Sequence, residues 1–530
     1  MTDRTKRQSR QATTVELDRR KFLLGSTALG VGSALGASMI ASPARASTPK
    51  RGGKFRIAVS DGSVGDTFDT AHSDSSTTVM LNYITRGNLT EIDANNKLVS
   101  DVAQSWESSP DAKQWMFKLR KGLEFHNGKS VDSKDVVATL NHHIGENSSS
   151  GAKSLLSSVE SLKADGADTV VVDLNSGNAD FPYFLADFHL GILPANADGT
   201  ANWAAGVGTG GYAVEKYEPG VRANLKRNPN YWRNDRAYFD EVEALVIQDP
   251  SARSNALLTN QVDLIDDLDP KTINLLGKDP NVEVDEVASG SHTVMSMRMD
   301  TPPYDNNDVR LALKLALDRE ELLKTILRGH GTLGNDTPIS PTMPFYAELP
   351  QRQYDPDQAK FHLKKAGLER LEVSLSAADI WSGALDAAVL YQEQASKAGI
   401  DLKIDRVAKD GFWTDTWLKK PFVGSWWGPR PTPDVIFSIA YARGAAWSET
   451  RFDHDRFNVL LVAARAEVDN NKRAEQYAEM QQIVRDEGGT IVPFFRNFLY
   501  GRRSNVQHGD SLAGNWQMDG YKAAERWWFA

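Results

Sequence analysis

Hydrophobic residues recur at two different spacings along the chain. In the segment 54–60, Phe55, Ile57 and Val59 occupy every second position, which predicts a strand. The same alternation predicts further strands at 115–120, 170–174, 212–217, 242–247, 282–287, 371–375 and 401–407. Helical spacing predicts helices at about 132–144 (capped by Asp132), 252–259, 309–328, 356–366 and 383–397. Strands and helices that alternate in this way predict an α/β fold.

The amino-terminal segment has the pattern of an export signal. Residues 1–21 carry seven basic and three acidic residues, and residues 22–40 are uncharged and rich in Gly, Ala and Leu. This glycine-rich stretch is too weakly apolar for a membrane anchor, and small residues predict cleavage near Ala46/Ser47. Arg19-Arg20 resembles the twin-arginine motif, although Asp18 replaces its usual Ser or Thr, so the general secretory route stays open. The predicted location is the periplasm.

Composition narrows the class of protein further. The chain has no cysteine, which excludes a cysteine-linked lipid anchor and a disulfide scaffold. Residues 1–46 carry eight basic and three acidic residues, so their removal changes the net charge from −9 to about −14. An acidic body without a basic tract argues against binding to nucleic acid or to an anionic membrane. A mature length near 480 residues predicts two or more lobes.

Three short motifs suggest chemistry but lack the context that the chemistry requires. Residues 206–211 fit GxGxxG, yet no strand precedes them and a strand follows, so a structural turn is predicted. Ser150 and Lys153 have the SxxK spacing without its companion motifs. His142 and His143 are adjacent on a helix and point about 100° apart, which prevents them from sharing a metal. The sequence therefore predicts no catalytic residue, no metal site and no cofactor.

Four blocks of sequence, in a fixed order, carry a family resemblance. They are Leu98–His126 with Asn127-Gly128 and Asp135–Val137; Val207–Tyr212 with Arg227–Trp232; Val309–Arg319 with Gly329–Pro338; and Tyr354–Gly367. Together they resemble the extracellular solute-binding family 5, which serves importers of oligopeptides, dipeptides, nickel and opines. The resemblance is dispersed over nearly all of the mature chain. It implies a bilobed periplasmic-binding-protein clam-shell with an additional small domain inserted in the first lobe.

The resemblance also implies a domain division and a function. Residues 1–46 are expected to be the signal peptide, residues 47–85, 206–291 and 496–530 lobe I, residues 86–205 the inserted domain, and residues 292–495 lobe II. The implied function is capture of a peptide-like or opine-like small polar solute in the periplasm and its delivery to the permease subunits of an ABC importer. A monomer that is not an enzyme is expected. The alternatives are a secreted hydrolase or peptidase acting on a similar ligand, and a permease-independent sensor.

Aromatic residues concentrate between Phe412 and Trp447. The clustering by itself is typical of core packing, but residues 425–434, SWWGPRPTPD, contain three prolines and a glycine, which predicts a loop. We therefore expect Trp426, Trp427 and Trp447 to line a ligand cleft, with core packing as the alternative. In dipeptide-binding relatives an acidic residue follows the Trp and Gly of this loop, whereas this chain has Pro429-Arg430.

An arginine at this place predicts a different ligand chemistry. The guanidinium of Arg430 matches a carboxylate with two parallel hydrogen bonds, so we expect it to hold a ligand carboxylate of the opine type. An ion pair of Arg430 with Asp434 or a surface acid is the alternative. In the opposite lobe, Asp61, His72, Asp74 and Ser75 stand where relatives contact the ligand backbone, and Trp381 follows a predicted strand as a possible wall. Turn formation and helix capping are the alternative roles of the polar residues.

Overall fold

The structure is a computed structural model that describes residues 48–73, 75–145, 148–409, 411–445 and 447–530. The predicted export segment, residues 1–46, lies outside the described residues. Within them, no helix combines the length and the apolar character that crossing a membrane requires.

A mixed sheet of seven strands unites segments from both ends of the described chain. Its central strand, Lys54–Val59, pairs in parallel with Glu241–Val246 and Leu264–Ile265, and the helix Pro250–Leu258 connects the latter two strands. In order across the sheet, the strands are Val282–Val287, Phe498–Arg503, Leu264–Ile265, Lys54–Val59, Glu241–Val246, Arg222–Arg227 and Tyr212–Glu218. Inward-facing residues such as Phe55, Ile57 and Tyr212 form the core on one of its faces.

A second sheet of seven strands is built from the middle of the chain. Its strands in order are Gly331–Leu333, Phe494–Arg496, His292–Met297, Phe422–Trp427, Leu371–Ala377 and Ile400–Arg406, and Thr490–Ile491 also pairs with His292–Met297. One face packs on a core with Leu375, Phe422 and Phe494, and the other on a core with Val294, Phe437 and Tyr477. Helices therefore cover both faces of this sheet.

A four-stranded antiparallel sheet lies in the segment that interrupts the first large sheet. Its strands in order are Ala103–Ser108, Gln114–Leu119, Thr169–Leu174 and Val159–Asp165. Two small sheets pair Thr90–Ile92 with Leu98–Ser100 and Val506–Gln507 with Trp528–Phe529. The apolar face of the four-stranded sheet, including Phe117 and Val172, has a separate core. The domain boundaries assigned from the sequence stay a prediction.

The helices connect and cover these sheets. The α-helices are Ser76–Thr85, Ser133–His143, Phe181–Phe184, Pro250–Leu258, Ile273–Leu276, Asn307–Leu315, Arg319–Ile326, Pro356–Lys365, Ala384–Ser396, Pro433–Ile436, Asp455–Ala466, Asn470–Glu487, Gln517–Gly520 and Ala523–Arg526. Short 3-10 helices span Thr70–His72 and Phe188–Leu190, and π-helical turns span Phe412–Thr416 and Phe437–Tyr441. The predicted cap Asp132 is confirmed, since its side chain accepts from the backbone N–H groups of Lys134 and Asp135.

The prediction of one long helix at 309–328 is wrong. The structure has two helices, because Asp318 adopts an extended backbone and its side chain accepts a hydrogen bond from the backbone N–H of Glu321 at 2.9 Å. The backbone N–H of Asp318 donates a hydrogen bond to Gln394 Oε1 at 2.9 Å. Continuous helical spacing concealed this break, because an internal Asp can start a second helix without changing the apolar period.

The chain passes twice between the two large sheets. It leaves the first sheet after Val287 and enters the second at His292, and it returns between Arg496 and Phe498. The first sheet is consequently discontinuous in sequence, and the two crossings lie side by side where His292 pairs with Phe495. Paired short crossings of this kind are places where two lobes can rotate as a hinge.

Asp266 lies buried at the carboxyl end of strand Leu264–Ile265. Its Oδ2 accepts a hydrogen bond from Ser60 Oγ at 2.9 Å, and its Oδ1 has no hydrogen-bond partner in the part of the chain that the structure describes. Burial and the neighbouring Asp267 raise the pKa of Asp266 to about 7, although Arg253 opposes the shift. Between the ordinary pKa of an aspartate and about pH 7, the Asp266 carboxyl is therefore ionised in the unfolded chain and protonated in the folded protein.

Asp266→Asn is expected to change how stability depends on pH. Stability from the protonated carboxyl is fully present below the unfolded pKa and is lost as the pH rises through the folded pKa of about 7. The free energy of unfolding of Asp266→Asn, relative to that of the wild type, should therefore rise by on the order of 3 kcal/mol between pH 4 and pH 8. Urea unfolding at several pH values measures this, with the exposed Asp235→Asn as control. A constant difference between Asp266→Asn and wild type would contradict the buried, protonated carboxyl.

Candidate ligand-binding site

A cavity of about 610 Å³ opens between segments of the chain that are far apart in sequence. One wall comes from the helix Ser76–Thr85 and the segment 183–189, another from residues 429–447, and a third from Asn515 and Trp516. Six aromatic side chains line it: Tyr83, Tyr183, Phe184, Phe188, Trp447 and Trp516. Its lining also includes the charged or titratable side chains of Asp187, His189 and Arg430. A cavity of this size, mainly apolar with a few polar groups, is typical of small-molecule sites.

Arg430 lines the cavity and is held in one orientation. Its Nη1 donates to the backbone carbonyls of Gly428 at 3.1 Å and Pro429 at 2.9 Å, and its guanidinium lies 5.6 Å from the ring centre of Trp427. Burial lowers the pKa of Arg430 to about 10, against the charge of Asp187, so the group is positive at neutral pH. Across residues 48–530 as described, no carboxylate lies within 4.0 Å of this guanidinium, which leaves its remaining N–H groups for a ligand.

The alternative pairing of Arg430 with Asp434 is wrong. Asp434 starts the helical turn Pro433–Ile436 and binds Arg465 Nε at 3.0 Å through its Oδ1. Burial raises the pKa of Asp434 to about 6, and Arg465 opposes this shift. The acid nearest in sequence to Arg430 is thus already neutralised by a different arginine.

Trp426 and Trp427 do not lie in a loop as predicted. They form the end of strand Phe422–Trp427, where they pair with Thr293 and His292 of the neighbouring strand. Consecutive strand residues point to opposite faces, so Trp426 packs on one core and Trp427 on the other. The prolines that suggested a loop begin only at Pro429, after the strand has ended.

Glu449 fixes the rings beside Arg430. Its carboxylate accepts hydrogen bonds from Trp417 Nε1 at 2.6 Å, Trp427 Nε1 at 3.0 Å, Ser296 Oγ at 3.1 Å and Ser425 Oγ. Burial raises the pKa of Glu449, and these four donors oppose the rise. Trp427 is 6% exposed and does not line the cavity, and its indole lies beside the Arg430 guanidinium.

Trp447 lines the cavity, and its role in a ligand cleft stays a prediction. It is 45% exposed, and its ring centre lies 5.9 Å from that of Trp427 and 6.2 Å from that of Trp417. Trp413 continues this row of tryptophans at 5.3 Å from Trp417. An exposed indole backed by other rings is a preorganised surface for an apolar or planar ligand group.

Trp381 and Trp426 lie beside a different arginine. Trp381 is 8% exposed and contacts Phe494 edge to face at 6.0 Å, and it also borders a separate cavity of about 380 Å³. The guanidinium of Arg496 lies 5.6 Å from the ring of Trp381 and 5.3 Å from that of Trp426. Neither tryptophan borders the cavity of Arg430. Arg496 lies at the chain crossing and was not identified from the sequence, because the two rings beside it come from distant segments of the chain.

The polar residues predicted near the first strand serve mainly to start a helix. Ser75 is the N-cap of helix Ser76–Thr85, accepts from the backbone N–H of Thr78 and donates to Asp66 Oδ2 at 2.8 Å. Asp61 is exposed and accepts from the backbone N–H of Ser76 through its Oδ2 at 3.3 Å. Neither lines the 610 Å³ cavity. Asp74 lies outside the described residues.

The sequence reasoning missed Asp187 and the rings around it. Phe188 starts a 3-10 helix, stacks on His189 at 4.0 Å and meets Trp516 edge to face at 5.6 Å. Tyr83 is 6.2 Å from Phe188, and its hydroxyl donates to the carbonyl of Ala186. Aromatic density was a usable signal in the segment 181–190, FPYFLADFHL, but nothing local showed that it faces residues 429–447.

A serine and a histidine meet near this wall, but their geometry does not suit hydrolysis. His143 Nδ1 lies 2.7 Å from Ser150 Oγ, and its Nε2 lies 3.3 Å from Thr70 Oγ1 rather than from a carboxylate. Burial lowers the pKa of His143 to about 3, so it is a weak base at neutral pH. His142 instead binds Asp69. Among the described residues, no group of three or more His, Cys, Asp or Glu is arranged to hold a metal ion.

The glycine-rich segment 206–211 has a packing role. A Cβ atom at Gly208 would lie 2.1 Å from the carbonyl oxygen of Thr85, and one at Gly210 would lie 2.5 Å from the carbonyl carbon of Thr85. Glycine is required because the two backbones touch here. The segment leads directly into strand Tyr212–Glu218, so it does not present a helix start to a phosphate.

Comparison with known proteins agrees with this fold. The structure of HbpA2 from Haemophilus parasuis superimposes with a TM-score of 0.79 at 20% identity, covering 90% of this chain and all of that one. The structure of AgaA from A. tumefaciens R10 in complex with agropinic acid gives a TM-score of 0.74 at 23% identity, covering 90% and 99%. The predicted bilobed α/β fold of a periplasmic binding protein is thereby confirmed.

Sequence comparison identifies the family. The dipeptide-binding protein of Escherichia coli (strain K12) is 26% identical over 443 residues, which cover 75% of this chain and 80% of that protein. Residues 97–449 match the model of the bacterial extracellular solute-binding proteins, family 5 Middle, which is more than half of the chain. The match includes the segment with Trp427, Arg430 and Trp447. The chain therefore belongs to family 5 of the bacterial extracellular solute-binding proteins.

Proposed function

We propose that this solute-binding protein of an ABC importer captures a small, carboxylate-bearing solute in the 610 Å³ cavity and that Arg430 binds the carboxylate. The observation that carries the proposal is a half-buried guanidinium without a carboxylate partner in the described chain, at the wall of an aromatic cavity. A guanidinium binds a carboxylate through two parallel N–H···O bonds. The aromatic wall suits an apolar part of the same solute.

The proposal includes a location and a cycle. The protein acts in the periplasm as a monomer after loss of residues 1–46, and it delivers its solute to permease subunits in the inner membrane. The solute touches walls from different parts of the chain, so its binding favours the closed arrangement. A shift of the closed-to-open population ratio from 1:99 to 99:1 requires the solute to bind the closed form more tightly than the open form by about 5.5 kcal/mol. A charge-assisted clamp and burial against six aromatic rings are contributions of the right size.

Two relatives support a carboxylate-bearing solute of peptide-like or opine-like class. One is named a dipeptide-binding protein, and the other is a structure in complex with agropinic acid. Where the family resemblance implies an acidic residue in dipeptide-binding relatives, this chain has Pro429-Arg430. The positive group at this position favours the carboxylate end of the solute over an ammonium group.

Arg430→Ala is expected to weaken binding of the solute by about ten- to a hundredfold, because it removes a charge-assisted pair of hydrogen bonds. Isothermal titration with the solute recovered from the purified protein measures this. The matched control is Arg456→Ala, which removes an exposed arginine that pairs with Glu479 outside the cavity lining and should leave the affinity unchanged. Equal affinity of Arg430→Ala and wild type would overturn the proposal.

A further inference from the structure

Glu449 carries a half-buried carboxylate whose hydrogen-bond partners are all neutral groups. Its Oε1 accepts from Trp417 Nε1 at 2.6 Å and from Ser425 Oγ. Its Oε2 accepts from Trp427 Nε1 at 3.0 Å and from Ser296 Oγ at 3.1 Å. In the part of the chain that the structure describes, this carboxylate has no cationic partner. A carboxylate withdrawn from water without a counter-ion destabilises a fold, so packing alone does not account for Glu449.

The two carboxylate oxygens divide the four donors in a way that a neutral side chain cannot copy. Each oxygen accepts from one indole N–H and one serine hydroxyl. A hydroxyl can also accept a hydrogen bond, whereas an indole N–H only donates. A glutamine amide in this place would set its own N–H groups against one of the two indoles. Fixing both indoles therefore requires a carboxylate.

The indole of Trp427 joins Glu449 to Arg430. Its N–H edge donates to the carboxylate, and the guanidinium of Arg430 lies 5.6 Å from its ring centre, within the range of a cation–π contact. The backbone of Trp427 is held by strand pairing with His292, so the hydrogen bond to Glu449 fixes what remains, the orientation of the ring. Donation of the N–H to a carboxylate also raises the electron density of the ring, which strengthens its attraction for a cation.

This indirect contact leaves hydrogen-bond donors of Arg430 available. Its Nη1 donates to the carbonyls of Gly428 and Pro429, whereas its Nε and Nη2 have no hydrogen-bond partner among the residues that the structure describes. A carboxylate in direct contact would occupy these N–H groups. The charge that acts directly to raise the pKa of Arg430 is that of Asp187, so the influence of Glu449 reaches Arg430 through the ring between them.

We propose that Glu449 is a positioning residue for solute binding, because it fixes the indole of Trp427 and thereby holds the guanidinium of Arg430 with Nε and Nη2 free for the solute. This inference rests on the proposed function of Arg430 and adds the residue that keeps the guanidinium in place. Glu449 does not line the 610 Å³ cavity, so it acts without touching the solute. Trp417 donates to the same carboxylate, but Arg430 lies over Trp427, which makes Trp417 an internal comparison.

The experiment measures recapture of the molecules that the protein itself carries. The probe is the pool of small molecules released on denaturing wild-type protein. It is added back to each protein after unfolding and refolding have freed that protein of bound molecules, and mass spectrometry quantifies what is recaptured. The variants are Glu449→Ala and Glu449→Gln, each alone and combined with Trp427→Phe, Trp417→Phe or Arg430→Gln. The control is Asp263→Asn, since this buried carboxylate binds Arg56 and does not line the cavity.

Glu449→Ala is expected to lower recapture at least about tenfold, because the ring under the guanidinium is no longer fixed. It should have no further effect when Trp427→Phe or Arg430→Gln is already present, since each of these breaks the same path. Beside Trp417→Phe it should keep its full effect. Asp263→Asn should recapture the pool as wild type does.

The indole N–H signals in two-dimensional NMR spectra report on the two rings directly, and Trp427→Phe and Trp417→Phe assign them. Glu449→Gln keeps an acceptor for one indole only. Its recapture should fall when the Trp427 signal moves and should equal that of wild type when only the Trp417 signal moves. The opposite correlation would contradict the path through Trp427. This variant decides the question even when Glu449→Ala does not fold.

Two results would overturn the inference alone. One is wild-type recapture by Glu449→Ala while Arg430→Gln loses the pool, and the other is a loss that simply adds when Glu449→Ala and Trp427→Phe are combined. Failure of the proposed function looks different. Recapture by Arg430→Gln at the wild-type level, or no recapture by wild type, would overturn the role of Arg430 and this inference with it.

Discussion

Replacement of Glu91 by Ala is expected to lower the free energy of unfolding by about 3–5 kcal/mol, because it removes the carboxylate that four buried cations share and leaves each of them with one remaining acidic partner. The carboxylate of Glu91 is 3% exposed and accepts from Arg236 at 2.7 and 2.9 Å, from Arg526 at 3.0 Å and from Lys522 at 3.1 Å. Arg233 lies 3.7 Å away.

The pKa of Glu91 supports the same expectation. Burial by itself raises this pKa, but Lys522, Arg236 and Arg526 together hold it well below its usual range. A depressed folded pKa stabilises the protein above the unfolded pKa, and that stability is lost as the pH falls through the folded pKa. The Glu91→Ala variant should accordingly differ from wild type at neutral pH and approach it only in strong acid.

Urea unfolding followed by circular dichroism measures the effect, and Glu107→Ala is the matched control. Glu107 is exposed on strand Ala103–Ser108, so its removal should change stability by less than about 0.5 kcal/mol. A loss for Glu91→Ala no larger than that of the control would contradict the buried network. Because Glu91 connects the strand Thr90–Ile92 to the last helix Ala523–Arg526, the variant should also bind solute less tightly through a loosened cavity wall.

Asp336→Ala is expected to destabilise the other half of the molecule by a similar amount, about 3–5 kcal/mol. Asp336 is fully buried and binds Arg319 Nη2 at 2.5 Å and Arg352 Nε at 2.8 Å, and it accepts from the backbone N–H of Val492 at 3.1 Å. Burial raises its pKa, but Arg319, Arg352 and Lys314 outweigh burial and lower it. Removal of the carboxylate takes away the ion-pair partner of the buried Arg319 guanidinium, whereas Arg352 keeps Asp486 at 2.9 Å.

Lys314 makes this variant informative. Its ammonium group donates to the carbonyls of Arg485 and Gly488, and burial lowers its pKa to about 7 although Asp336 opposes the shift. In Asp336→Ala the pKa of Lys314 should fall further, so the destabilisation should be larger at pH 6 than at pH 9. The control is Glu369→Ala, an exposed residue of the same half. A loss for Asp336→Ala that matches the control at both pH values would contradict this account.

Local patterns predicted the individual elements well, and the reason is physical. Alternation along Lys54–Val59 and helical spacing along Ala384–Ser396 report which side chains are buried, and burial is a local property of each element. The cap at Asp132 was equally visible, because its partners lie two and three residues away. The break at Asp318 was not, since it depends on contact with Gln394 on another helix.

The site was only partly predictable, for the same reason. Arg430 was identified because prolines and tryptophans around it are local signals of an exposed, aromatic turn. Trp426 and Trp427 were placed in that loop, whereas pairing with Thr293 and His292, more than a hundred residues away, extends the strand over them. Asp187 has no local mark that distinguishes it from other acids. Only the fold shows that it shares a cavity with Arg430.

The most direct test of the central account is the identity of the solute that the protein carries. Protein purified from its native cells without denaturation is then denatured, and the released small molecules are identified by mass spectrometry beside those from Arg430→Ala. The account predicts an intact molecule with a carboxylate and a large apolar group, bound to wild type and strongly reduced in the variant. A released molecule without a carboxylate, or one retained equally by Arg430→Ala, would contradict capture through Arg430.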